Sequence, residues 1–269
     1  MMCSYSDINY ISWGSLMMFG AKHKKSIMFY YLIKLMILTG YMLIFSMHLF
    51  SEEIVSIYDI QFTTNPGFDG TYPSLYVNQT VTIQGVVTAI GFENSRIFIS
   101  ESTGGAWSAI AIDNVRTRVS VGDFLQLRGK VSELMGMTVI TQPQNLRIIS
   151  RNMPLPVPVL VTAHEALTME AYESVLVRLS NVTCRRILNG NFLALIDDET
   201  ASINVGNGFN NSVNRDIFTT GANYGYIIGI VNFSHNRFAI HPRNIEDIGN
   251  DVVRGIQSSS WGRIKSLYR

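Results

Sequence analysis

The stretch Phe124-Leu-Gln-Leu-Arg-Gly-Lys-Val131 decides the fold, because a related stretch, Gly225-Tyr-Ile-Ile-Gly-Ile-Val231, follows about 100 residues later. Gly229 in the second stretch occupies the position of Gly129 in the first. The order of strand and turn patterns around the two stretches is also the same. A repeat of this length is typical of duplicated domains rather than of a solenoid.

Short strand patterns surround both stretches, separated by turn residues. In the first unit they cover 80–88, 96–100, 109–113, 124–131 and 137–141, with 145–149 closing the unit. In the second they cover 174–182, 191–196, 201–205, 225–231 and 237–241, with 244–248 as the counterpart of 145–149. Five strands, with Gly85 where the first must bend sharply, predict a small Greek-key barrel. The predicted fold class is therefore all-β, with two tandem five-stranded barrels.

The predicted organisation has five parts. They are a leader over 1–51, a first barrel over 54–152, a linker over 153–161, a second, divergent barrel over 162–250, and a tail over 251–269. Three prolines between Pro154 and Pro158 favour an extended, semi-rigid linker. Thr162 is predicted to be the N-cap of a short helix.

The leader predicts export. Basic residues Lys22–Lys25 precede an apolar run, Ile27–Phe50, and Ser51 then opens an acidic segment. This order is typical of a signal peptide. Met28 is a candidate translation start, which would leave residues 1–27 untranslated. The alternative is an uncleaved membrane anchor, since the run has about the length that spans a bilayer; in both cases residues 52–269 face outward.

Several motifs, taken in order, resemble one known family. They are Ser56-Ile-Tyr-Asp-Ile-Gln61, Val81–Thr88, Gly105–Ile112, Val121–Val131, Ser132-Glu133 and Gly136-Met-Thr138. Together they are similar to the OB-fold domains of secreted bacterial nucleases, the YhcR type, over about 57–150 and more weakly over 157–249. The resemblance implies OB-type barrels in an exported module that presents nucleic acid or a surface polymer. It carries over no catalytic residues, because nothing in the chain corresponds to the nuclease domain.

The candidate ligand-binding residues follow from where OB barrels bind, on strands 2 and 3 and on the loops joining strands 1–2 and 4–5. They are Phe92, Arg96, Phe98, Trp107 and Lys130 in the first unit and Arg185, Arg186 and Arg237 in the second. For Phe98 and Trp107 the alternative is a place in the barrel core or at its end.

The net charge of the predicted folded part argues against tight binding through phosphates. Residues 1–51 hold four of the 21 Lys and Arg and one of the 20 Asp and Glu, which leaves 17 against 19, a net charge of −2.

The sequence predicts a binding protein rather than an enzyme, with no cofactor and no metal. Asp197-Asp198 lies between two strands, where such a pair favours a turn; a hydrolase that uses these carboxylates is the weakest alternative. The histidines lack the spacing of metal ligands. Weak, salt-sensitive binding of single-stranded nucleic acid is one predicted function. The other is a cell-envelope structural or adhesion module that contacts protein or glycan.

The C-terminal tail Trp261-Gly-Arg-Ile-Lys-Ser-Leu-Tyr-Arg269 is amphipathic if it is helical, with an apolar face opposite its basic residues. A sorting or docking role toward the export machinery is predicted for Trp261, Ile264, Lys265 and Tyr268. The alternative is a cap packed on the second barrel. The membrane is predicted to be contacted only through the N-terminal segment.

Overall fold

The computed structural model describes residues 28–42, 53–68, 70–93, 95–209, 213–234 and 237–250. The chain divides into two units between Glu52 and Glu53. Residues 28–42 are helical. Within the described ranges, no helix has the length and apolarity needed to cross a bilayer. Most of the predicted leader and the whole C-terminal tail, including Trp261, Ile264, Lys265 and Tyr268, lie outside the described residues.

The second unit is built mainly of β-strands. Its strands are β1 (Thr80–Phe92), β2 (Arg96–Ser100), β3 (Ala109–Ile112), β4 (Phe124–Leu134), β5 (Met137–Ser150), β6 (Val159–Leu160), β7 (Leu176–Ile187), β8 (Phe192–Asp197), β9 (Ser202–Gly206), β10 (Asn223–Ser234), β11 (Arg237–His241) and β12 (Ile248–Gly249). The helices are α1 (Ile57–Gln61) and α2 (Ala163–Thr168), and 3-10 turns cover Glu170–Tyr172, Arg215–Ile217 and Ile245–Asp247.

The first barrel is closed in the order β1-β2-β3-β5-β4, and β1 pairs with β4 to complete the ring. All its pairings are antiparallel except β3 with β5. Strand β1 serves both sheets of the barrel, pairing with β4 up to Val86 and with β2 from Val86 onward. Gly85 lies at that change of partner, where a Cβ would come within 3.0 Å of the Ser100 carbonyl oxygen. The predicted bend at Gly85 therefore has a steric cause.

The second barrel repeats this order as β7-β8-β9-β11-β10, closed by the pairing of β10 with β7. Its one parallel pairing within the ring, β9 with β11, corresponds to β3 with β5. The strands β6 and β12 extend the sheet outside the ring. The prediction of an all-β chain with two five-stranded barrels is confirmed.

Each barrel has its own core, because alternate residues of every strand point inward. In the first barrel the core includes Ile83, Ile99, Leu127 and Ile140. In the second it includes Leu179, Ile196, Val205 and Ile240, together with the buried thiol of Cys184.

The predicted N-cap at Thr162 is confirmed. The Thr162 Oγ1 accepts from the Glu165 N–H at 3.1 Å, and the Glu165 carboxylate accepts from the Thr162 N–H at 2.7 Å. This reciprocal pair satisfies two backbone groups at the start of α2. The segment predicted to be a linker is packed, since Pro156 is buried and β6, at its end, pairs with β7.

The predicted correspondence of 145–149 with 244–248 is wrong in its local structure. Residues 145–149 continue the long strand β5, whereas 244–248 contain a 3-10 turn that leads into β12. Asn244 begins that turn, and its side chain accepts from the Glu246 N–H at 2.9 Å. Both segments begin with Asn, so the difference comes from their partners: 147–150 pairs with β4, whereas Asp247 turns back to form an ion pair with Arg243 at 2.8 Å.

The two barrels pack against each other along a seam, which we define by its buried apolar cluster. The cluster contains Ala89, Phe92, Phe98, Ala111, Met137 and Val139 from the first barrel and Leu176, Phe209 and Ile230 from the second. Backbone hydrogen bonds cross the seam, from Glu93 N–H to the Gly208 oxygen at 2.9 Å and from Trp107 N–H to the Ala171 oxygen at 2.7 Å. The barrels therefore form one compact unit.

Candidate ligand-binding cleft

The seam covers the part of the first barrel where an OB barrel binds its ligand. Phe98 on β2 and Ala111 on β3 face Phe209 and Ile230 of the second barrel within one cluster. Phe92 is 1% exposed and Phe98 is fully buried. The prediction that these two rings bind a ligand is corrected, because both are buried against other protein rings, which they meet edge-on, and they leave no open face for a base.

The other predicted residues of the first barrel lie apart from one another. Arg96 is committed to an ion pair with Asp113 at 2.6 Å, and its guanidinium lies over the Phe92 ring. Trp107 is half-buried and meets the ring of Phe62 edge-on, 5.6 Å between centroids. Lys130 lies on β4, opposite Thr80 of β1 and Thr141 of β5, away from the seam. The structure therefore brings no common ligand site together from these residues.

The predicted residues of the second barrel also separate. Arg185 pairs with Asp197 at 2.9 Å, and Arg186 is exposed near the end of β7. Arg237 is exposed at the start of β11 and lines a cleft between the barrels. Among the eight predicted ligand-binding residues, Arg237 and the buried Phe92 are the two that line this cleft.

The cleft has a volume of about 670 Å³ and is built mostly by the second barrel. It lies at the β7–β8 loop, the end of β9 and the β10–β11 end of the sheet, which are the binding elements of an OB barrel. The first barrel adds the end of β1. Its lining residues are Phe92, Glu93, Gly190, Asn191, Phe192, Asn207, Gly208, Asn232, Arg237 and His241.

Two glycines allow the backbone to lie close to the aromatic wall of the cleft. A Cβ on Gly206 would overlap the His241 imidazole, and a Cβ on Gly208 would overlap the Phe92 ring. The Phe92 ring in turn meets the His241 imidazole edge-on, 5.0 Å between centroids. Side chains at 206 and 208 would therefore push the seam apart beside the cleft.

His241 is neutral at physiological pH. Burial lowers its pKa to about 3, since the charged imidazolium is poorly solvated there. Its Nδ1 accepts from the Gly208 N–H at 3.1 Å. The proton of the neutral ring therefore sits on Nε2, which makes this atom a hydrogen-bond donor.

Asp197 and Asp198 are structural. Hydrogen bonds from Ser202, Arg185 and the Glu199 N–H lower the pKa of Asp197 to about 2. Asp198 accepts from the Ala163 N–H at 2.7 Å, at the start of α2, and from the hydroxyl of Thr200. These carboxylates hold the β8–β9 connection and dock α2 onto it, as the turn interpretation requires.

Three carboxylates meet near the seam, from Glu133, Glu170 and Glu173. Burial and the Glu133 charge raise the pKa of Glu170 to about 8. Burial, followed by the Glu170 charge, raises the pKa of Glu173 well above its usual range. Glu173 accepts from the Thr138 N–H across the seam at 3.0 Å, while its Oε2 has no partner within the described part of the chain. In the described ranges no group of three His, Cys, Asp or Glu is placed to hold a metal ion.

The sequence interpretation missed most of the cleft. The ligand-binding residues predicted in the second unit are all basic. The cleft is lined instead by neutral side chains, among them Asn191, Phe192, Asn207 and Asn232. Asn189 and Gly190 precede the predicted strand 191–196 and mark the β7–β8 loop, so the OB rule applied to that loop and to the start of the next strand finds Asn191 and Phe192. Asn232 sits inside an apolar strand and carries no such signal.

No protein-family model and no curated protein matches the chain. A solved structure described as "Structural mimicry for functional antagonism" aligns with 65% of this chain and 94% of its own, at 14% sequence identity and a TM-score of 0.33. A likeness at this TM-score does not bear on function.

Proposed function

We propose that the chain is an exported, non-catalytic binding module that takes single-stranded nucleic acid in the cleft between its barrels. The position of the cleft carries this proposal. It is formed by the β7–β8 loop and the ends of β9, β10 and β11, the elements with which OB barrels bind oligonucleotides. The resemblance to the OB domains of secreted nucleases points to the same ligand class.

The lining of the cleft suits a base better than a phosphate chain. Phe192 is half-buried, so its ring has an accessible part on which a base can stack. Asn191, Asn207 and Asn232 supply amide donors and acceptors for base edges. A cleft of about 670 Å³ lies within the usual range for small-ligand sites.

The charge of the cleft sets the expected strength of binding. Glu93 and Arg237 are its two charged lining residues and offset each other. Exposed Arg186 precedes the β7–β8 loop, and Arg215 donates to Asn189 in that loop at 2.9 Å. With so few cations, we expect weak binding. The logarithm of the binding constant should fall with the logarithm of the salt concentration at a slope of about −1, as expected when one or two phosphates are contacted.

We expect Phe192→Ala to weaken binding of a fluorescent oligonucleotide by roughly 5- to 150-fold, since stacking on an aromatic ring contributes about 1–3 kcal/mol. Fluorescence anisotropy at about 50 mM salt measures this effect. Arg237→Gln should reduce the salt slope. Lys130→Gln is the matched control, because Lys130 lies on β4 away from the cleft. Wild-type protein that binds no oligonucleotide at low salt refutes the nucleic-acid proposal.

The export part of the proposal rests on the basic residues Lys22–Lys25 and the apolar run Ile27–Phe50. We expect protein recovered outside the cytoplasm to begin near Ser51. Sequencing its N-terminus tests this expectation. Peptides from 1–27 would contradict a start at Met28, and retention of 28–50 would favour the anchor.

A cell-envelope module that contacts glycan is the second candidate. One surface favours it: the rings of Tyr58 on α1 and of Phe62, the residue after α1, stack with centroids 5.3 Å apart, both are 41–42% exposed, and Trp107 meets Phe62. Glu101 accepts from the Tyr58 N–H at 3.0 Å, and its carboxylate disfavours phosphate while it can accept from sugar hydroxyls. Binding of cell-wall oligosaccharides that is lost in Phe62→Ala and kept in Phe192→Ala would support this candidate.

A further inference from the structure

Asn232 has a buried acceptor that the fold does not use. The residue lies on β10, lines the cleft and is 2% exposed. Its Oδ1 has no hydrogen-bond partner within the described part of the chain. Leaving a buried acceptor without a partner is unfavourable, so native proteins seldom keep one without a use.

A donor lies close to this acceptor on the same face of the sheet. Asn232 pairs with Ala239 across β10 and β11, and His241 is two residues beyond Ala239. Side chains related in this way are diagonal neighbours on one face. The neutral His241 ring carries its proton on Nε2, since Nδ1 accepts from Gly208. The floor of the cleft therefore combines an amide acceptor with amide and imidazole donors.

We infer that Asn232 is the specificity-determining residue of the cleft and that it selects the amino-bearing bases adenine and cytosine over thymine. This inference rests on the proposed nucleic-acid function. The Asn carboxamide matches adenine in a bidentate pair, with Oδ1 accepting from the 6-amino group and Nδ2 donating to N7. On the same edge guanine offers two acceptors, and thymine offers an acceptor and a methyl group.

The burial of Oδ1 gives a steric reason for the same preference. Because Oδ1 is buried, a donor reaches it best from a group that projects out of the ring, as the 6-amino group does. The ring N–H of thymine is recessed between two carbonyl oxygens, which Oδ1 repels. Cytosine offers an equivalent pair, its 4-amino group and the adjacent N3 acceptor, so we expect Asn232 to accept cytosine as well as adenine.

The test compares oligo-dA, oligo-dC and oligo-dT of equal length in fluorescence anisotropy, with wild type and Asn232→Leu. We expect wild type to bind oligo-dA and oligo-dC roughly tenfold more tightly than oligo-dT. Asn232→Leu should remove this preference while its melting temperature stays equal or rises, because Leu replaces an unpartnered polar group. A purely structural Asn232 would instead give a lower melting temperature and equal losses for all oligonucleotides, which would overturn the inference.

A second probe keeps the inference testable if Asn232→Leu does not fold. Nebularine in place of adenine removes only the 6-amino group, so wild type should bind such an oligonucleotide about as weakly as oligo-dT. Equal binding of all these oligonucleotides by wild type would refute the selection by Asn232 and leave the proposed function standing. Binding of none of them would refute the proposed function itself.

Discussion

Phe92→Ala is expected to lower the free energy of unfolding by about 3–5 kcal/mol, the largest effect of any single change we consider. The Phe92 ring is 1% exposed and meets three other rings edge-on, those of Phe98, Phe209 and His241, with centroids 5.0–5.4 Å away. Its removal leaves a cavity in the seam that neighbouring strands cannot fill without shifting. For a unit of this size the melting temperature should fall by roughly 10 °C.

Thermal unfolding followed by circular dichroism measures the effect, with Phe68→Ala as the control, because Phe68 is fully exposed. We expect the control to lie within about 0.5 kcal/mol of wild type. Wild type should unfold in one transition, since the seam joins the barrels, and Phe92→Ala should begin to separate it into two. If Phe92→Ala matches Phe68→Ala, the seam does not hold the barrels together in solution.

Glu173→Gln is expected to stabilise the protein by about 1–3 kcal/mol at pH 8 and by nothing near pH 4. The pKa of Glu173 is raised in the folded state, so the folded chain retains a proton that the unfolded chain releases above about pH 4.5. The contribution of Glu173 to stability is therefore complete below about pH 4.5, and it is lost as the pH rises through the pKa of the folded state. Gln keeps an acceptor for the Thr138 N–H and is neutral without taking up a proton on folding.

The measurement is the free energy of unfolding by denaturant between pH 4 and 9, with Glu246→Gln as the control, since Glu246 is exposed. Glu170, with its pKa raised to about 8, makes a contribution of the same sign. His241 acts in the opposite sense: its lowered pKa means that its contribution is present above about pH 6.5 and lost as the pH falls toward 3. A pH profile of Glu173→Gln that parallels wild type would contradict the burial of the Glu173 charge.

The alternation of apolar and polar residues was sufficient to predict most strands. The pattern over 96–100 matches β2, and that over 237–241 matches β11. Glycine marked the bend of β1 at Gly85, and Thr162 marked the start of α2. Such features depend on neighbours within a few residues or across one strand pair. They can therefore be predicted from a single sequence.

The candidate site was hardly predicted at all, and Phe98 shows why. Alternation predicts whether a side chain points into or out of its barrel, but it does not predict what covers the outside. Phe98 points outward, as a ligand-binding ring of an OB barrel should, and the second barrel covers it. Asn232 is the converse case. It is a polar residue in an apolar strand, and only the packing of β10 and β11 shows that its Oδ1 is buried without a partner in the described part of the chain.

The sequence by itself determined two duplicated five-stranded barrels, because strand alternation and turn chemistry are local and occur twice. Tertiary structure alone decided that the barrels share a seam and that the cleft at its end is lined mostly by neutral residues. The physical reason is that the seam is made by outward-facing residues about 100 positions apart. Their contact depends on how two closed surfaces fit together, and no periodicity along the chain records that fit.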